Sequence, residues 1–174
     1  MNTIVPVLTC ATLLVTSAAA GTLGEAEIAQ LRSEVASITR SFERGDTKAL
    51  IDQTHGSLYE LAGGREAFAN ATQQAMEQLL QTGAKFVHSE VGTPTQTYLA
   101  GDEEVCFVPR ISIMEVQGKK AKSTTFMIAV RRLGSNEWKY LDGAGLRKHP
   151  DYLRRLLPKL ESGVELPPNK VELL

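Results

Sequence analysis

The sequence is short of cysteine, of net charge and of long apolar runs, and each shortage excludes something. Two cysteines occur in 174 residues. One of them, Cys10, lies in a leader-like segment, so removal of that segment leaves Cys106 alone and no intrachain disulfide can form. An exported domain without disulfides fits a bacterial periplasm better than a small eukaryotic secreted module. The formal net charge is -1, which argues against a dedicated nucleic-acid binder. The run from Ile4 to Val15 is too short, and too mixed with Thr and Ser, to make a comfortable membrane span. Catalytic signatures are missing as well. No serine stands in a nucleophile elbow, and no glycine-rich loop follows a strand as a phosphate site would require. Three histidines without regular spacing make no zinc motif. No metal and no cofactor is therefore expected. Internal repeats and low-complexity tracts are also lacking.

Residues 1–20 carry no charge, are largely apolar and end on Ala18-Ala19-Ala20. That pattern reads as a secretory signal peptide cut before Gly21. It implies a periplasmic or secreted protein with no membrane attachment after cleavage. Residues 21–162 then make one domain, long enough for a proper core without disulfide staples. Residues 163–174, with Pro167-Pro168, make an extended tail.

Helices come first along the mature chain. Thr22 and Glu25 have capping-box spacing, and Ile28, Leu31, Val35, Ile38 and Phe42 form one apolar stripe stopped by Gly45. Asp46 can cap a short second helix through Leu50 and Ile51. A turn region around His55-Gly56 and Gly63-Gly64 follows. A third helix spans Arg65 to Thr82, with Phe68, Ala71, Ala75, Met76, Leu79 and Leu80 inward.

After Gly83 the period changes to two. Strands are predicted at Lys85–Val91, Thr95–Ala100, Val105–Val116, Ser123–Arg132 and Glu137–Leu141, and a short helix opens at Pro150-Asp151. The two long runs make a hairpin. With its turn centred on Gly118-Lys119, one face pairs Phe107 with Val130, Pro109 with Ile128, Ile111 with Phe126 and Ile113 with Thr124. That face is core by composition. The other pairs Cys106 with Arg131, Val108 with Ala129, Arg110 with Met127, Ser112 with Thr125 and Met114 with Ser123. A mixed face of this kind suggests a subunit interface or a wet groove, so Arg110, Ser112, Met114, Thr125 and Met127 are expected to contact a second copy in a homodimer.

Helices followed by an antiparallel sheet make an α+β domain. Phe42-Glu43-Arg44-Gly45-Asp46, Gly63-Gly64-Arg65-Glu66-Ala67-Phe68 and Trp138-Lys139-Tyr140-Leu141-Asp142-Gly143 resemble the nuclear transport factor 2-like superfamily. That superfamily includes polyketide cyclase-like and ketosteroid isomerase-like proteins, and the resemblance is greatest to its secreted bacterial members. It covers about residues 25–160. It implies a cone: three N-terminal helices packed on a curved antiparallel sheet, with a short C-terminal helix. It also implies a pocket lined from the first helix, the turn before the double glycine and the inner face of the sheet. The polar candidates there are His55, Tyr59, His88, Tyr98, Tyr140 and Asp142. A carboxylate in an apolar cone can act as a general base, which makes Asp142 and, as a proton carrier, His88 the candidates for catalysis. Asp142-Gly143 equally reads as a plain turn after the last strand. The resemblance places Phe42 where the isomerase-like enzymes carry a tyrosine donor, which weighs against chemistry.

Three functions remain open from the sequence. The first is a non-enzymatic domain that binds a small apolar molecule or a protein partner. The second is a cofactor-independent isomerase, hydratase or cyclase. The third is an assembly or immunity module that works through its surface.

Overall fold

A computed structural model of the chain describes residues 21–94 and 96–174; the leader expected over residues 1–20 lies outside them. The fold is α+β, with an open six-stranded antiparallel sheet. Four helices precede the sheet: α1 (Glu25–Glu43), α2 (Lys48–Gln53), α3 (Gly56–Leu61) and α4 (Arg65–Gln81). The strands are β1 (Lys85–Val91), β2 (Thr97–Ala100), β3 (Glu103–Val116), β4 (Lys119–Arg132), β5 (Lys139–Asp142) and β6 (Lys170–Leu173). A 3-10 turn over Gly143–Arg147 and α5 (Tyr152–Leu156) lie between β5 and β6.

Helix α1 starts two residues later than the Thr22 expectation. The Gly24 N–H donates to Glu27 Oε2 at 2.9 Å, which closes half of a capping box there. Helix α3 occupies what reads in sequence as a turn. Its starting residue is His55, whose ring nitrogen accepts from the Ser57 N–H. Three expected N-terminal helices are thus four.

β3 and β4 form the hairpin, fourteen residues on each side. Its turn is Gln117-Gly118, with Val116 opposite Lys119, so every cross-strand pair lies two positions from the expected one. Gln117 and Gly118 both have positive φ, 50° and 75°. Two left-handed central residues are what a type I′ turn requires, and that turn matches the natural twist of the strands. A displacement of two leaves each side chain on its expected face. Different strands flank the two halves of the hairpin. At the base β2 pairs with β3 and β5 with β4; toward the turn β1 pairs with β3 and β6 with β4. The tail expected to be merely extended thus ends as an edge strand.

The two faces of the base half belong to two cores. Val105, Phe107, Phe126, Ile128 and Val130 pack with Leu141, Leu146, Leu153, Leu156 and Leu157 from the C-terminal segment, and Leu58 and Leu61 of α3 pack against this cluster. Cys106, Val108, Met127, Ala129, Trp138 and Tyr140 pack under Leu31, Val35 and Ile38 of α1. Burial corrects the interface expectation at Met127 and Thr125. Met127 is fully buried, Thr125 is 2 % exposed, and Ser112, Met114 and Arg110 are half-buried. The apolar stripe of α1 needs a partner, and this mixed face supplies it.

Arg131 ties α1 to the sheet. Its guanidinium meets Glu104, its partner across the ladder, at 2.6 Å and Glu27 of α1 at 2.7 Å. It also lies 4.3 Å from the centre of the Trp138 ring. The Gly24 N–H, and after it Arg131, hold the Glu27 carboxyl below its ordinary value.

The turn and the Glu27 contact can each be tested by substitution. Gly118→Val should lower stability to urea by about 1–2 kcal/mol, the cost of forcing a branched residue into the left-handed region, while Gln117→Asn should raise it. An unchanged midpoint for Gly118→Val would refute the type I′ turn. For Glu27 the variable is pH. A carboxyl whose pKa falls on folding adds stability that is complete above its unfolded value, near 4.5 for Glu27, and lost as pH drops through the folded value. Wild type should therefore melt above Glu27→Gln at pH 7, and the gap should shrink steadily as pH falls below 4.5. A gap that stays constant as the solution is acidified would show that charge is not its origin.

Candidate functional site

Two adjoining cavities meet at the end of β5, where the sheet offers both faces at once. The larger, about 580 Å³, is lined almost entirely by apolar groups. Phe42 of α1, Leu50 of α2, Leu58 and Leu61 of α3, and Phe68, Ala71 and Ala75 of α4 form one side. Leu141, Leu146, Tyr152 and Leu156 form the other. The smaller, about 60 Å³, lies under the end of α1 and is mixed: Thr39, Glu43, Arg110, Ser112 and Asp142 line it together with Ile38, Phe42, Leu50 and Phe86. Phe42, Leu50 and Asp142 border both.

The larger cavity exists because α4 packs mainly against α2 and α3 rather than on the sheet. Of the six residues of α4 expected inward, only Met76 is fully buried. Ala71 and Ala75 are exposed, and with Phe68 they face the open cavity. A sequence stripe that predicts core here lines a pocket instead.

Asp142 combines the two roles open to it in sequence. Its Oδ1 accepts from the Ala144 N–H at 2.8 Å and so starts the 3-10 turn. Its two oxygens also receive Arg110 Nη2, at 3.3 and 3.1 Å. Arg110 reaches it across the sheet because Asp142 sits opposite Met127 on β4, next to Thr125, the partner of Arg110. The Arg110 side chain is only 14 % exposed and that of Asp142 39 % exposed, so the pair sits at the rim of the site. Three of the four lone-pair sites of the carboxylate are thereby taken, and one on Oδ2 stays free. Gly143 must follow it: a Cβ there would lie 2.5–2.6 Å from the ring and carbonyl of Phe126.

Three polar atoms near the small cavity are buried without a hydrogen-bond partner: Glu43 Oε1, Arg110 Nε and Thr125 Oγ1. Glu43 Oε2 accepts from Ser89 Oγ at 3.3 Å, and Arg110 Nη1 reaches Thr39 Oγ1 at 3.5 Å. Glu43 and Thr39 are not among the residues that sequence reasoning selects. The signal that could have found them is a pair of polar residues, four apart, on the flank of the buried stripe of α1.

The other candidate residues do not gather here. His88 points outward. A bulge sets Val87 and His88 against Ile113, between the Phe86 and Ser89 pairings, so the simple alternation that puts His88 beside Phe86 fails and His88 is exposed. His55 is held by Ser57 Oγ at 2.8 Å and Glu103 Oε1 at 3.0 Å. Tyr59 donates to the Ile51 carbonyl and meets the Phe68 ring edge-on. Tyr98 is buried against Phe107 in the first core. Tyr140 is buried under α1 and donates to Glu34 Oε2 at 2.5 Å. Burial, and then the Glu34 carboxylate, push its phenol far above its ordinary value, so it acts as a fixed donor rather than an acid. Among the described residues no group of His, Cys, Asp and Glu gathers as it would around a metal ion.

Asp142 allows its two roles to be separated by substitution. Asp142→Asn keeps an acceptor for Ala144 and loses only the charge pair; the expected cost in urea unfolding is about 0.5–1 kcal/mol for a half-exposed pair. Asp142→Ala should cost about 1 kcal/mol more, the worth of a lost cap. Equal costs would refute the capping role.

No family model, curated protein or solved structure matches the chain.

Proposed function

We propose that this chain is an exported domain that binds a small, largely apolar molecule in the cavity between α4 and the C-terminal segment. One observation carries the reading: an apolar space of about 580 Å³ with a single charged pair, Arg110–Asp142, at its border. Binding sites for small molecules commonly have this composition, mostly apolar walls with a few polar groups that fix orientation. The resemblance to the nuclear transport factor 2-like superfamily supports it, since a cone pocket between helices and sheet would fall in this region. Among the described residues no helix is long and apolar enough to cross a membrane.

The enzyme reading is weaker on the same geometry. A general base needs a free lone pair within reach of the substrate. Asp142 has three of its four lone-pair sites taken by Arg110 and Ala144, His88 is exposed, His55 is held on both ring nitrogens, and His149 at the cavity edge stacks on Tyr152 with no partner that would orient it as a base.

The test is titration of the mature protein with N-phenyl-1-naphthylamine, an uncharged probe that fluoresces in apolar surroundings. Saturable binding is expected, with a Kd on the order of micromolar. Ala75→Trp adds an indole to the exposed wall of the cavity and should weaken binding tenfold or more without lowering thermal stability. Non-saturable uptake, or full affinity in Ala75→Trp, would overturn the assignment.

A further inference from the structure

We propose that two copies of this chain pair edge to edge through β6, antiparallel and in a register centred on Val171. The pairing is independent of what the cavity holds.

A sheet leaves backbone N–H and C=O groups unpaired along its edges, and the edges of this sheet differ in how they are closed. Along β2 the Thr97 N–H donates to the Gly21 carbonyl at 3.0 Å, and the Leu99 carbonyl accepts from the Glu161 N–H at 2.9 Å. Along β5 the Tyr140 carbonyl accepts from the His55 N–H at 3.0 Å. β1 carries the bulge at Val87, which breaks the regular spacing of its outer groups. Natural sheets protect their edges by cover and bulges of this kind. β6 has neither. Among the described residues it pairs with β4 alone, its register is unbroken, and every residue from Lys170 to Leu173 is exposed.

The ladder with β4 shows which groups of β6 face outward. The Leu174 N–H donates to the Lys120 carbonyl at 2.9 Å. Alternation then turns the backbone groups of Glu172 and Lys170 toward β4 and those of Val171 and Leu173 outward. A second β6 can meet these outward groups in an alignment centred on Val171 or in one centred on Glu172. Centring on Glu172 sets two carboxylates opposite each other. Centring on Val171 sets Lys170 of each copy opposite Glu172 of the other. Opposite charges at facing positions favour pairing and like charges oppose it. Within each strand Lys170 Nζ already lies 3.0 Å from Glu172 Oε1, so four charges of alternating sign come together across the edge. The strand is thus complementary in charge to itself, which selects a second copy as the occupant.

Apolar surface agrees with this register. Leu173 and Leu174 are the most exposed large apolar side chains among the described residues, at 82 and 67 %, and Val171 is 49 % exposed. In the pair Val171 faces Val171, and Leu173 of each copy lies diagonal to Val171 of the other, within reach of a long side chain. The contact is small, so the dimer should be weak, with a Kd on the order of 100 µM.

The experiment is sedimentation equilibrium of the mature protein at concentrations up to about 500 µM, several times that Kd. Wild type should pass from monomer to dimer. Lys170→Glu and Glu172→Lys each set like charges opposite each other and should weaken association tenfold or more. An equal mixture of these two variants restores opposite charges at both positions, and should form a mixed dimer with affinity near that of wild type. Val171→Pro removes an outward N–H that the β4 ladder does not use, so it should abolish the dimer and leave the melting temperature unchanged. A wild type that stays monomeric throughout would overturn the pairing and leave the edge to a foreign strand. A dimer that persists in Val171→Pro, or that both folded charge variants keep, would place association on another surface. Failure of the mixture to associate would overturn the register centred on Val171.

Discussion

The pairing of β3 with β4 carries the candidate site. Arg110 meets Asp142 only because Arg110 stands opposite Thr125 and Asp142 opposite Met127, two residues further along the same strand. The register that makes this so is set at the far end of the hairpin, by two residues with positive φ. Side chains alternate along a strand, so a slip of one position would turn Arg110 to the other face, into the cluster of Phe107, Phe126 and Ile128. A guanidinium there would have no carboxylate and no water, a heavy cost for a charge. The apolar packing on both faces and the turn geometry therefore select the same alignment.

The hairpin also divides by depth. Toward the base both faces are covered, by α1 on one side and by the 3-10 turn, α5 and α3 on the other. Toward the turn the cover ends, and half-buried residues replace buried ones on both strands. Arg110 and Thr125 lie at that boundary. The position allows a charged residue to be mostly buried and yet paired at a rim where Asp142 still touches solvent. Farther in, the desolvation of both ions would exceed what their attraction returns. Farther out, the pair would be screened and would hold nothing in place.

Much of this fold is legible in the period and punctuation of the sequence. The stripe of α1, the bounds of β1, the long hairpin and the sorting of its two faces follow from spacings of three to four or of two. The departures have local causes. Gly118 can serve either central position of a two-residue turn, and placing it first moves every pair by two while sparing the faces. The bulge at Val87 breaks alternation without any glycine to mark it, and so takes His88 off its expected side. His55-Gly56 has the look of a turn but starts a helix, which hides α3. The mixed face of the hairpin suggests a partner subunit because sequence does not show which helix covers which face. The cavity under α1 has no sequence signature at all, since Glu43, Arg110 and Asp142 lie far apart along the chain and are joined only by the fold.

The same limit explains why α4 reads as core and is not. Its apolar residues recur at helical spacing, and spacing reports that a face is apolar without reporting what meets it. In the folded chain α4 leans on two short helices, α2 and α3, and these hold it away from the sheet. Apolar surface left open in this way gains nothing from burial on folding. A chain of this size could have closed the gap with larger residues at Ala71 and Ala75, and the small side chains keep it open. Next to the gap lie a guanidinium and a carboxylate that retain unpaired atoms, a second feature that folding alone would remove. Two such departures from best packing at one place, bordered by the same Phe42, Leu50 and Asp142, mark the end of β5 as the part of the molecule shaped for something other than its own stability.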